Sequence, residues 1–263
     1  MSAHLFSDDI LFYQRVLSVS GFYDGSLNGQ WTAAVEAADQ AFAAEFASIA
    51  SELGTFDTRS EGNIRTQLPQ TQRAARGFLE RAKQLTGFDV RIISGTRTYA
   101  EQDLLYRKGR FGNPPPKVTN AQGGQSNHNF GIAWDVGIFK DGHYLTGDTA
   151  SEEATYKKLA QLALGDELEW GGNWTTFKDM PHYQLKTGLG LGQVRALFES
   201  GKPYTSQNVN ALALAAPPAG AAKAKKAKKA KAKKATVKKA KAKKAKAKKA
   251  KKAAPKKSKA KRR

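Results

Sequence analysis

From Ser7 the apolar positions Ile10, Tyr13, Val16 and Leu17 recur at helical spacing behind an acidic first turn of Asp8 and Asp9. This pattern predicts an amphipathic helix that Gly21 stops. Ala33 to Leu53 predicts a long Ala-rich helix, and the polar stretch from Gly54 to Gly62 reads as a junction. Pro69 suits the first turn of the next helix, whose face is Ala75, Phe78, Leu79, Ala82 and Leu85 and whose end is Gly87. Val90 to Ile93 predicts a short buried strand. Thr98-Tyr99-Ala100-Glu101 forms a capping box that opens a helix through Leu104 and Leu105 toward Gly109. Residues 110–125, rich in Gly, Pro and Asn, predict an exposed loop. Ile132 to Ile138 is apolar enough for a buried strand, and Lys140-Asp141-Gly142-His143 is a hairpin turn with Tyr144 and Leu145 on the return. Helices are predicted over Glu152 to Leu164 and Leu191 to Phe198, with Leu168 to Trp174 turning between them. The predicted fold class is α+β, a small antiparallel sheet covered by helices, with an N-terminal helical unit and a disordered basic C-terminal tail.

Charge changes the picture at one end only. The 263 residues carry 44 Lys+Arg and 23 Asp+Glu, a formal charge of +21. Residues 221–263 hold 24 of those bases and no acid, which leaves the rest at −3. The tail repeats Lys-Ala-Lys-Lys, has too little apolar surface to fold, and carries lysines that repel at helical spacing. The expected organisation is a helical unit over 1–60, a main domain over 61–200, a linker over 201–222 and the tail over 223–263. A polycation of this kind suits an anionic polymer, and composition alone leaves DNA and an envelope polyanion both open. There is no cysteine, which excludes disulfides and thiolate metal sites. The first 20 residues include Asp8, Asp9 and Arg15 and lack an apolar run of signal-peptide length, and no stretch approaches the ~20 apolar residues of a membrane span.

The candidate chemistry gathers around Gln125 to Asp135. His128 and Asp135 lie close in sequence and His182 follows later; two imidazoles and a carboxylate are a set that Zn²⁺ accepts when a further position is left for water or substrate. Ligand atoms of one such ion lie roughly 3 to 4 Å apart. Straight strand would separate His128 from Asp135 by about 23 Å, and helix by about 10 Å along the axis. The chain must therefore bend between them, and Gly131 is the residue best suited to it.

Ser126, His128, Gly131, Ala133 and Asp135 form a Ser-x-His-x-x-Gly-x-Ala-x-Asp pattern. It resembles the signature of zinc peptidases that include D-alanyl-D-alanine carboxypeptidases, vancomycin-resistance dipeptidases and phage L-alanyl-D-glutamate endolysins. Ser94 to Gln102, Glu169 to Trp174 and Asp179 to Gln184 continue the resemblance in the same order over about residues 60–200. Asp179-Met180-Pro181-His182 is more similar to the endolysin branch than to the dipeptidases. The resemblance implies Zn²⁺ on His128, Asp135 and His182, Asp179 as general base, Arg97 holding the substrate carboxylate or the developing oxyanion, and Ser126 orienting substrate. Pro181 biases Met180 away from the helical region, so Asp179 and His182 must converge through a bent, extended segment. Trp170 and Trp174 read as core packing. Gln14 to Val35 resembles a small peptidoglycan-binding repeat, although a plain helical hairpin packed on the main domain accounts for it equally.

The implied activity is zinc-dependent hydrolysis of peptidoglycan stem peptides, as an L-alanyl-D-glutamate endopeptidase or, alternatively, a D-alanyl-D-alanine carboxypeptidase. The expected site of action is the bacterial cell wall, reached without a recognisable signal peptide. Two rivals come from other classes: a zinc-holding protein without turnover, and a polyanion-binding protein that acts through its tail.

Overall fold

A computed structural model describes residues 6–205; the tail and residues 206–222 of the expected linker lie outside the described residues. The chain opens with α1 (Ser7–Val19), α2 (Ala33–Leu53), α3 (Thr58–Ile64) and α4 (Pro69–Thr86). It continues through β1 (Asp89–Ser94), α5 (Tyr99–Arg107), β2 (Ala133–Lys140) and β3 (His143–Leu145). The last elements are α6 (Ala150–Ala163), β4 (Leu168–Trp170), β5 (His182–Leu185) and α7 (Leu191–Glu199).

The sheet is antiparallel, in the order β1-β2-β5-β4, with β3 on β2. Its central strand, β2, pairs along one side with β1 and along the other with β5 at its start and β3 at its end. Alternation along β2 sends Trp134, Val136 and Ile138 into a core with Phe78 and Leu79 of α4, Tyr156 and Leu159 of α6 and Tyr183 of β5. Phe78 lies 4.5 Å from Tyr183, ring centre to ring centre, and Trp134 stacks on the same tyrosine. Burying each such side chain contributes roughly 1.5–3 kcal/mol, so this face holds β2 and β5 in register.

A second core joins the chain's two described ends. Val16 and Leu17 of α1, Val35 and Phe42 of α2, and Val194 and Phe198 of α7 enclose Phe130, Ile132 and Tyr204. Tyr204 is fully buried and its hydroxyl donates to the carbonyl of Phe130. The body therefore continues past residue 200, and the expected linker start at 201 comes too early. The anticipated boundary at 60/61 falls inside α3, and α1 and α2 share the second core with the rest.

The stretch expected to be a junction is instead structural. Asp57 accepts from the backbone N–H groups of Arg59 and Ser60 and so starts α3, and the buried Ser60 hydroxyl accepts from the Ile92 N–H at 2.9 Å. Arg76 of α4, fully buried, donates to both oxygens of Glu61 at 2.8 and 2.7 Å and to the Gly54 carbonyl at 2.7 Å. These residues are polar because they cap and pair, not because they face water.

Candidate metal centre

A four-residue 3-10 turn, Asn127–Phe130, carries His128 to the start of β2. The Ser126 hydroxyl caps the turn, accepting from the His128 N–H at 3.4 Å, and Gly131 ends it at φ 67°. That left-handed angle is cheap only for glycine, and a Cβ there would press on the Leu68 side chain at 3.0 Å. Here is the bend that the His128–Asp135 spacing requires. Asp135 then faces His182 directly across the β2/β5 ladder.

Three atoms converge as a result. Nε2 of His128 lies 3.1 Å from Oδ1 of Asp135 and 3.2 Å from Nδ1 of His182, and the last two are 3.4 Å apart. Both outward ring nitrogens are committed elsewhere. His128 Nδ1 donates to the Gly95 carbonyl at 2.7 Å, and His182 Nε2 donates to Oε1 of Gln184 at 2.9 Å. The inward atoms are therefore all lone-pair donors, which repel unless a cation lies among them. A tetrahedral ion with bonds near 2.0–2.1 Å places its ligands about 3.3 Å apart. The three side chains thus form a group fit to hold a metal ion.

The site is largely closed to water on the histidine side, with His128 and His182 both buried. Burial lowers the His128 pKa. It opposes ionisation of Asp135 too, but the charges and hydrogen bonds of the two imidazoles outweigh it and hold that carboxyl well below its ordinary range. For His182 burial opposes the charged form and is outweighed by the bond to Asp135, so its pKa rises.

Arg97 and Asp179 line the same cleft of about 480 Å³, together with Ser126, Asn127 and Trp174. Arg97 Nη2 lies 3.2 Å from Oδ2 of Asp135, so the guanidinium fixes one carboxylate oxygen and leaves the other on the convergence point. Its Nε is buried without a partner. Asp179 is brought in by a turn whose ends are tied to the Gly171 carbonyl, at 3.2 Å from Asp179 N, and by His182 N on the Asp179 carbonyl at 3.3 Å. A Cβ on Gly171 would sit 2.6 Å from the Asp179 carbonyl, so only glycine admits this approach. Burial, then the charge of Asp135, pushes Asp179 up to about 6.

The tryptophan pair splits, against expectation. Trp170 is core, stacked on Tyr183 with its Nε1 donating to Met180 O, but Trp174 faces the cleft with its ring 5.0 Å from that of His182. Gly95, Asn127 and Gln184 also join the site, none of them among the predicted site residues. A carbonyl acceptor has no side-chain signal; Gln184 could have been found, because it lies two residues from His182 on one strand face.

A family model described as D-alanyl-D-alanine carboxypeptidase matches residues 119–185, which include His128, Asp135, Asp179 and His182. Over 114 residues the chain is 36% identical to the peptidoglycan L-alanyl-D-glutamate endopeptidase CwlK of Bacillus subtilis (strain 168). The matched stretch, residues 119–185, is similar to this peptidase family. The alignment with the Bacillus peptidase covers 41% of this chain and 66% of that one. A second peptidase, the L-alanyl-D-glutamate peptidase of Listeria phage A118, is 29% identical over 161 residues, 60% of this chain and 53% of its own. The chain thus spans between about half and two thirds of the length of these two curated relatives. Among solved structures, the Serratia marcescens L-Ala D-Glu endopeptidase ChiX is 29% identical and covers 51% of this chain and 90% of its own, with a TM-score of 0.37.

Proposed function

We propose that the chain is a zinc-dependent peptidase that cleaves the L-alanyl-D-glutamate bond of bacterial peptidoglycan stem peptides at the cell wall. The observation that carries this reading is the convergence of three lone-pair donors from His128, Asp135 and His182 at the spacing of a tetrahedral ion. Both relatives at the sequence level bear the name of that activity. His128 Nε2, Asp135 Oδ1 and His182 Nδ1 would hold the Zn²⁺, which would supply Lewis acidity to the scissile carbonyl and to the attacking water.

The rest falls to the chain's own groups. The Asp179 carboxylate accepts the proton of the attacking water and returns it to the leaving amine; a pKa raised toward neutrality suits both transfers. Arg97, braced on Asp135 Oδ2, directs its remaining N–H groups to the negative charge that develops on the scissile carbonyl. Ser126 and Trp174, which line the cleft, orient the substrate there. The tail adds salt-sensitive attachment to an anionic polymer, separate from the chemistry.

Digestion of purified peptidoglycan followed by mass spectrometry of the fragments tests the assignment. New glutamate amino termini are expected. Release of D-alanine alone would instead favour the carboxypeptidase reading, and no cleavage by zinc-loaded protein would overturn both.

A further inference from the structure

The zinc-facing nitrogen of His182 is Nδ1, and its choice is decided outside the ligand set. We infer that Gln184 and Glu169 form a positioning relay that locks His182 in the Nε2–H tautomer and so keeps Nδ1 free for the metal. The inference rests on the proposed metal site and adds what orients it.

A glutamine amide has two unlike ends, and either could face an imidazole. Oε1 of Gln184 accepts from His182 Nε2 at 2.9 Å and from Asn127 Nδ2 at 2.8 Å, while Nε2 of Gln184 donates to Oε2 of Glu169 at 2.7 Å. Rotating the amide by half a turn would set its NH₂ against the amide N–H of Asn127 and its oxygen against a carboxylate, which can only accept. Glu169 therefore determines which end Gln184 shows to His182, without touching the histidine. Register makes the chain of contacts possible: Glu169 on β4 lies opposite Gln184 on β5, and Gln184 shares a strand face with His182. Asn127, next to His128 in the 3-10 turn, ties the same oxygen to the other ligand-bearing segment. His128 needs no such device, because its Nδ1 meets a backbone carbonyl that cannot flip.

Glu169 is exposed, so its replacement leaves the fold intact. The test measures zinc affinity by chelator competition and, in the metal-free protein at alkaline pH, the His182 tautomer by ¹⁵N NMR. Gln184→Leu should weaken zinc binding about 10- to 100-fold, the usual range for an outer partner of a metal ligand, and shift His182 toward Nδ1–H. Glu169→Ala should weaken it less and give a mixed tautomer, and Glu169→Gln, which still offers an oxygen, should recover. In Gln184→Glu, whose carboxylate can only accept and is repelled by Glu169, removing Glu169 should no longer weaken zinc binding. Folded Gln184→Leu with wild-type zinc affinity and tautomer would overturn the relay. So would an equal loss from Glu169→Ala in both backgrounds. The tautomer is read without metal or substrate, so a failure to cleave peptidoglycan would count against the proposed activity and leave this inference standing.

Discussion

Asp179 is the residue whose environment most separates it from its ordinary chemistry. It shares the cleft with Asp135 but, unlike Asp135, has no hydrogen-bonded imidazole to offset its burial, and the two carboxyls are driven in opposite directions. Asp179→Asn keeps size and removes the proton acceptor. Turnover on peptidoglycan should fall at least about 100-fold, with zinc content by elemental analysis near one equivalent. Wild-type release of amino groups at equal zinc occupancy would remove Asp179 from the mechanism. Glu169 is no substitute, since its carboxylate accepts from the Gln184 amide and it is not among the residues that line the cleft. The same shift has a stability consequence in the metal-free protein. A carboxyl whose folded pKa is raised to about 6, above roughly 3.9 when unfolded, contributes stability that is full below the unfolded value and lost as pH rises through the folded one. Denaturant midpoints of metal-free wild type and Asp179→Asn should therefore be similar near the unfolded pKa and separate in favour of the Asn variant toward neutrality. A constant difference across that range would show that the carboxyl titrates normally.

At the scale of elements, what was legible in the sequence was what periodicity and caps encode. The α4 face apart from Leu85, which is exposed, the Thr98 capping box, the hairpin at Asp141-Gly142 and the bend at Gly131 all follow from local rules. The candidate ligands His128, Asp135 and His182 were legible as a motif, although only the strand under Asp135 was read as an element; the 3-10 turn under His128 and the strand β5 under His182 were not. What stayed hidden depended on partners distant in sequence. The Gly54–Gly62 stretch looks like linker until Arg76 and Ile92 arrive to use its polar groups, and Trp174 parts from Trp170 only because the 3-10 turn Gly171–Asn173 rotates the chain between them. Arg76 makes this concrete. It is fully buried, bidentate to Glu61, bonded to Gly54 and set over the Phe46 ring, and so ties α2, α3 and α4 together. Arg76→Ala should cost about 3–5 kcal/mol in urea unfolding by leaving Glu61 without its partner. A loss under about 1 kcal/mol would mean that water replaces the guanidinium at no cost.

Over the whole molecule, charge and chemistry are segregated. The body is close to neutral while residues 221–263 carry every excess positive charge, and among the described residues no helix is long and apolar enough to cross a membrane. The proposed attachment to an anionic polymer should weaken steeply with added salt in the full chain and be lost on truncation after residue 220. Turnover on a small soluble peptide should stay within about twofold, because every residue proposed to carry the chemistry lies between Arg97 and His182. A large loss on that substrate would show that tail and site are coupled.

The burial of Tyr204 against the carbonyl of Phe130 also says something about timing. Phe130 belongs to the turn that carries His128, and the wall behind that turn is made of α1 from one end of the body and α7 with Tyr204 from the other. Synthesis delivers these pieces in order, N-terminal first. A ribosome-bound chain that has made His128, Asp135, Asp179 and His182 still lacks the α7 and Tyr204 part of the wall behind that turn. The turn that carries His128 therefore gains its full packing only once synthesis has reached Tyr204.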